Sequence, residues 1–418
     1  IAPCQQNGIT EIEAIAQIHQ LLNTPGTISL GYNTLTFDDE LLRFAFYRNL
    51  LPPYTHQYAN QCGRMDLYPI TTFFSLFNPG ALPHWPEKDG RISLKLENLN
   101  AANQLATGDS HNALVDVEAT IALAKILQRS TKMWDYLVGY FNKQTDQTRC
   151  QNLAWLNPLQ QQLGMMVWGK IGARYHYQAP VLSLGSHQHY KNQTLWLRLD
   201  LPELQQASPD NLDDHTWVLR KKLAEPGFLL PYNARYQKGI KVERRDLVQQ
   251  NIAWLTEHPK LLAEIIHYHQ HFKYPTYPST DVDAALYQSS FWSPQETRQC
   301  GQFHRADPIQ KSQLADQFSN LNLQQMAIRT IGRNYPEALS TKQQQYFQQY
   351  LQQVYCTDPD QALIDFTNRK RYTLDQFKQE FNEANTLDLS DRQRQLLQEL
   401  QQHVINNQQH HEKEKNDA

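Results

Sequence analysis

Apolar residues recur along the opening stretch of this chain with two different periods. Between Glu11 and Leu22 they fall at Ile12, Ile15, Ile18, Leu21 and Leu22, the stripe of an amphipathic helix. Pro25-Gly26 breaks the stripe, and Thr27-Ile28-Ser29-Leu30-Gly31-Tyr32 then reads as a short strand. A second helix is predicted from about Asp38 to Asn49, with Leu41, Leu42, Ala45 and Phe46 inward. Gly108-Asp109-Ser110 supplies cap chemistry for a third, His111 to Gln128. Helix, strand and helix joined by short connections make residues 1–130 an α/β domain.

From about Thr131 the pattern shifts to short β-type runs, Met166-Val167-Trp168, Val181 to Leu184 and Thr194 to Leu199, separated by Gly-, Asn- and His-rich turns. Residues 131–274 are therefore expected to form a β-rich domain, with a helical period returning between Leu247 and His271 and a linker at Lys273 to Pro278. Residues 275–405 read as an all-helical domain with glutamine-rich faces, and the polar, aperiodic tail 406–418 as disordered.

Composition narrows the class. A chain of 418 residues with 40% hydrophobic and 11% aromatic residues is globular and long enough for two or three domains. Its net charge of -3 excludes a bulk basic footprint, so any nucleic-acid contact must be local. Five scattered cysteines, none spaced Cys-x-x-Cys, argue against a disulfide framework and against a zinc knuckle, and point to a reducing cytoplasm. No apolar run reaches the ~18 residues of a membrane span. Because the chain begins at Ile1 rather than methionine, it is read as N-terminally incomplete.

Two segments carry candidate chemistry. Gly31-Tyr32-Asn33-x-x-x-Phe37-Asp38-Asp39-Glu40 ends a strand and opens a helix with carboxylates, which at a strand end can hold a divalent cation. Acids at a helix start also serve simply as caps, and taken alone that is the commoner role. In the second segment, His111 sits at a helix start and Asp116 a little over one turn later, so both can face one cleft. Each has an ordinary alternative as a surface histidine or a paired acid. Arg43, Arg48, Tyr54, Tyr58 and Arg64 mix cations with aromatic faces as single-strand grooves do. Gly169-Lys170-Ile171-Gly172-Ala173-Arg174-Tyr175-x-Tyr177 is a further basic and aromatic patch that either lines the far side of a channel or, as the commoner case, forms solvated turns.

Together the two segments are more specific than either. Gly-Tyr-Asn-x-x-x-Phe-Asp-Asp-Glu, then Leu-Glu-Asn-Leu, then His-x-x-x-x-Asp-Val-x-Ala-Thr resemble the second and third motifs of the DEDDh 3′→5′ exonucleases, of the bacterial exodeoxyribonuclease I type. Phe46-Tyr47-Arg48-Asn49, Asp281-Val282-Asp283-Ala284 and Arg333-Asn334-Tyr335-Pro336 extend the resemblance over most of the chain. It implies an α/β RNase H-like exonuclease domain lacking its first strands, a β-rich SH3-like domain and an all-α C-terminal domain. It also implies degradation of single-stranded DNA to nucleoside 5′-monophosphates, in DNA repair and recombination, by two-metal hydrolysis with Mg²⁺ or Mn²⁺. Asp38 and Asp116 would be metal ligands, His111 the general base, and Asn33, Arg43, Tyr54, Tyr58 and Lys95 DNA contacts. A monomer is implied, with the acidic tail of single-stranded DNA-binding protein as a partner.

One departure matters most. The family's other two ligands form an Asp-x-Glu on an opening strand. The only two triplets of that form near the motifs, Asp38-Asp39-Glu40 and Asp116-Val117-Glu118, fall on predicted helices. There, residues two apart point ~200° from each other and cannot share one metal. The chain as written is therefore expected to be inactive or nearly so. A non-catalytic single-stranded DNA-binding module is the competing reading, and an interaction scaffold built on the glutamine-rich helices a third.

Overall fold

A computed structural model describes residues 6–108, 112–237 and 239–416, with side chains to position 406. They form two compact units that interleave along the chain: residues 1–27, 39–62 and 275–418 in one, residues 28–38 and 63–274 in the other. The boundaries expected at 130 and 274 follow the chain, whereas the first unit draws together both ends of it.

The first unit is helical. Helix Glu11–Leu22 starts at Thr10 with a capping box closed by Glu13. Its Ile12 enters a core with Tyr47, Leu50, Phe303, Met326 and Phe347. Helix Leu321–Asn334 runs through the middle of that core, with eight consecutive-turn positions from Leu323 to Gly332 buried. Charged side chains tie the pieces together. Arg329 reaches Asp281 at 2.7 Å, Arg333 reaches Asp283 at 3.3 Å, and Glu11 takes Arg48 at 2.6 Å and Arg333 at 3.5 Å. Helix Asp391–Asn416 continues through the tail expected to be disordered. That stretch lacks proline and glycine and is rich in Gln, Glu and Lys, which favour helix without needing a buried face.

The second unit contains every strand among the described residues. β1 (Ile28–Gly31) and β2 (Gly63–Asp66) pair in parallel, with Gly31 opposite Asp66. β3 (Glu87–Lys88) and β4 (Arg91–Ile92) form a hairpin around Asp89-Gly90, both at positive φ as such a two-residue turn requires. An antiparallel sheet follows, built from β5 (Trp155–Leu156), β6 (Gln161–Val167), β7 (Gln178–Ser186), β8 (Gln193–Arg198), β9 (Val218–Lys222) and β10 (Phe228–Pro231). Its order is β10-β6-β7-β8-β9, with β5 on β6. The three β runs expected from sequence are β6, β7 and β8.

Alternation along β7 and β8 places Leu182, Leu184, Leu195 and Leu197 on one face, under Val248, Leu255, Leu262 and Ile265 of the helices Val242–Glu257 and Pro259–His271. Val181 and Trp196 occupy the other. The helix Leu67–Phe77 buries Ile70, Phe73 and Phe74 against Leu123 and Leu127 of helix Ala113–Gln128 and against Met165 and Phe228 of the sheet. That shared core fixes the motif-bearing helix relative to the sheet. No helix is long and apolar enough to cross a membrane among the described residues.

Candidate functional site

The end of β1 is the starting point. After Gly31 the chain doubles back: Asn33 is left-handed, at φ 61°, and a short 3-10 turn covers Thr34–Thr36 before Asp38 opens the helix Asp38–Arg48. Asp66, at the end of β2, holds this turn. Its carboxylate accepts the Asn33 N–H at 2.7 Å and the Leu35 N–H at 3.3 Å, while capping the helix Leu67–Phe77 through the Tyr68 N–H at 2.9 Å. Burial, with a smaller push from the nearby Asp38 charge, takes the Asp66 pKa up to about 6 against the pull of those three N–H groups.

Asp38 is exposed, and Asp116 half-buried in the first turn of helix Ala113–Gln128, whose N-cap Asn112 accepts the Leu114 N–H at 3.0 Å. Both acids line one cleft of about 1290 Å³ within the second unit. Asn33 and Lys95 line it too, as the resemblance implies. Lys95 caps the helix Leu96–Asn103 and pairs with Glu97 at 3.3 Å. Glu118 and Glu40 are absent from the lining, as expected of residues two positions along a helix from Asp116 and Asp38. His111 lies outside the described residues.

The other candidates lie in the first unit, and Arg43 is committed to its interior. Arg43 is 5% exposed and forms an ion pair with Asp39, which also takes His56 at 3.2 Å. Its guanidinium is thus held in a buried ion pair, away from the cleft that Asp38 and Asp116 line. Tyr54 packs edge-on to Phe291, and burial pushes its pKa up to about 12. Tyr58 stands 71% exposed.

The cleft also holds residues that sequence reasoning passed over. Lys88 and Arg91 come from the β3–β4 hairpin, whose signal, Asp89-Gly90, was present in the chain. Trp168 comes from the end of the expected β run Met166-Val167-Trp168, and Lys170 and Tyr177 from the basic and aromatic patch that follows it; together they form one wall. Acids at the strand end and helix start, with cations and aromatic rings around them, make a site suited to a phosphorylated polymer.

Asp38 and Asp116 are hard oxygen donors of the kind that bind Mg²⁺ or Mn²⁺. Among the described residues, however, no three His, Cys, Asp or Glu side chains converge as a metal site. The donors fit a divalent cation in kind and fall short in number.

Fold and cleft together define an α/β unit of nuclease type joined to a helical unit. Residues 280–407 match the Exonuclease I C-terminal domain family. The chain is 27% identical to exodeoxyribonuclease I of Escherichia coli (strain K12) over 377 residues, which span 86% of this chain and 78% of that one. Crystal structures of exonuclease I share the fold: the E. coli protein in complex with a dA16 oligonucleotide superposes with a TM-score of 0.79 at 24% identity, covering 96% of this chain and 84% of that one. An SSB/exonuclease I structure with the inhibitor CFAM gives 0.77, with the same coverage. The chain is thus a homologue of exodeoxyribonuclease I along most of its length and carries that enzyme's C-terminal domain.

Proposed function

We propose that the cleft takes single-stranded DNA from its 3′ end and that the intact active site hydrolyses it to nucleoside 5′-monophosphates. The observation that carries this reading is the convergence, in one cleft, of Asp38 and Asp116 with Lys88, Arg91, Lys95 and Lys170. Its volume exceeds the ~300–1,000 Å³ of ordinary small-molecule pockets, which favours a polymer. In this reading residues 1–130 descend from an RNase H-like nuclease domain, 131–274 from an SH3-like one, and 275–405 form the helical domain.

Asp38 and Asp116 would share in holding the divalent cations on which such hydrolysis depends, Mg²⁺ or Mn²⁺. His111 would take the proton of the attacking water, a transfer suited to an imidazole near neutral pH. Asn33 and Lys95 would position the strand, with Tyr58 as a stacking face.

Asp38, Asp66, Asp89, Glu97 and Asp116 all line the cleft, yet no three His, Cys, Asp or Glu side chains converge among the described residues, so this chain as written is expected to bind single strands and to cleave them slowly or not at all. The exposed apolar side chains Leu30, Val117 and Ile121 along the cleft are consistent with a place for a further, acid-bearing strand beside β1. A binding module without chemistry is the second reading, favoured by the lack of a third converging ligand among the described residues. The tail of a single-stranded DNA-binding protein is proposed as partner, with no residue of this chain assigned to it.

Release of nucleotides from 3′-labelled single-stranded DNA in Mg²⁺ tests the proposal. Three proteins are compared: this chain, a version with an added N-terminal strand carrying Asp-x-Glu, and that version with His111→Ala. Cleavage by the second alone supports the enzyme with His111 as base. Binding without cleavage by all three leaves the binding module.

A further inference from the structure

The turn that follows β6, Gly169–Ile171, is locked against the cleft from behind. A Cβ on Gly169 would sit 2.5 Å from Tyr68 Cε1 and 3.0 Å from its hydroxyl, so only glycine allows the turn to lie this close to the tyrosine. Ile171, 3% exposed, anchors the far side of the turn in the core beside Val181 and Leu229. Trp168 is backed in turn by Gly227, at φ +103°, where an added Cβ would come 3.3 Å from the indole Cε3. Ring and turn are therefore rigid.

On this support stands Lys170, its ammonium 4.8 Å from the centre of the Trp168 ring. The distance is within cation–π range, so the indole holds the lysine in one orientation and occupies its own face in doing so. Lys170 makes no ion pair among the described residues, unlike Lys95 with Glu97 and Lys221 with Asp146. Burial, and next the neighbouring Lys222 charge, lower its pKa, while the Glu225 carboxylate pulls the other way from beyond ion-pair distance; an arriving anion would add to that pull. A lysine held this way, unpaired and facing a cleft that also contains Asp38 and Asp116, has the properties of an anion ligand waiting for its anion.

We infer that Lys170 binds a backbone phosphodiester of single-stranded DNA on the wall of the cleft, and that Trp168 is the positioning residue that aims it. The inference rests on the reading of the cleft as a single-strand groove and adds to it a contact carried by this chain's own Trp-Gly-Lys turn. Because the indole face is taken by the ammonium, Trp168 acts through Lys170 and does not stack a base. The contact is to the charged backbone, and so independent of sequence.

The test is equilibrium binding of a fluorescent oligothymidylate without a terminal phosphate, followed by anisotropy in EDTA across a salt series. It compares the unsubstituted chain with Lys170→Gln, Lys170→Arg and Trp168→Leu, after thermal melts have shown that all four fold. Lys170→Gln is expected to weaken binding roughly tenfold at low salt, the loss of one charge-assisted phosphate contact. It should also lower the slope of log affinity against log salt by about 0.7, the value for one phosphate on a single strand. Lys170→Arg should restore most of both, and Trp168→Leu should lose affinity with the lysine still present. Unchanged affinity and slope in Lys170→Gln, with the parent binding normally, overturn the inference and leave the cleft reading standing. Failure of the parent to bind overturns the cleft reading and the inference with it. If Lys170→Gln loses affinity only for thymidine 5′-monophosphate, added as a competitor, the site is one for terminal phosphate and the strand contact is wrong.

Discussion

The Asp66 carboxylate accepts the Asn33 N–H at 2.7 Å, so the end of β2 holds the loop that delivers Asp38 to the cleft. Burial raises the proton affinity of this carboxyl above its unfolded value of 3.8, to about 6. Folding therefore takes up a proton between those two pH values, and the stability this supplies is present below about pH 4 and lost as pH rises through 6. Asp66→Asn should flatten that part of the pH dependence of the melting temperature. Asp66→Ala, which leaves the Asn33 and Leu35 N–H groups without their acceptor, should cost about 1–3 kcal/mol in a urea melt.

His269 should give the opposite slope. Its Nε2 lies 2.6 Å from Thr216 Oγ1, and that hydroxyl donates its one hydrogen to the Leu212 carbonyl, so it accepts from the imidazole. Nδ1 is left as the acceptor facing Arg220 at 3.3 Å. Burial first, and then the Arg220 charge, pull the pKa from 6.5 down to about 4. The unfolded chain thus takes up this proton more readily than the folded one, and stability present above pH 6.5 is lost as pH falls towards 4. His269→Gln should remove that acid sensitivity, read as the change in melting temperature between about pH 7 and 5.

Lys221 is fully buried with its ammonium 2.7 Å from Asp146, which also accepts the Ala224 N–H at 3.0 Å. Removing one partner strands a charge in the interior, so Lys221→Met should destabilise by about 3–5 kcal/mol. The double substitution Lys221→Met with Asp146→Leu should recover much of that loss. Chemical denaturation of the two variants checks the difference. Equal losses in both would mean that the ion pair is not what the site depends on.

Gly31 is needed for lack of space rather than for an unusual backbone angle. A Cβ there would overlap Thr34 Cγ2 as the chain turns back towards Asp38. Gly31→Ala should weaken single-stranded DNA binding by displacing Asn33 and Asp38, and adding Thr34→Ser, which deletes the offending methyl, should restore part of it. Binding isotherms of the single and double variants separate this steric account from a general loss of fold.

The local elements around the cleft were readable because each carries its own signal. The apolar stripe of Glu11–Leu22, the Pro25-Gly26 break before β1 and the acids of the helix at Asp38 are short-range patterns, and the structure has all three where they were expected. What stayed hidden depends on pairing across long separations. Arg43 looked like a free cation in an aromatic stretch, although its position four residues after Asp39 is the spacing of a helical ion pair. Lys170 looked like a turn residue because nothing nearby in sequence reveals that Gly169 rests on Tyr68, about a hundred positions earlier. The links from Glu11 to Arg333 and from Arg48 to Glu11, which make the two ends of the chain one unit, have no local trace at all.

That interleaving bears on how the protein is made. A chain leaving the ribosome completes residues 28–38 and 63–274 long before the last helices of the other unit are synthesised. The helix Glu11–Leu22, synthesised before those segments, must therefore wait with Ile12 uncovered for Met326 and Phe347. Folding during synthesis should begin in the middle of the chain and finish with the return of its beginning, a stage at which a chaperone that shields short apolar helices would have most effect.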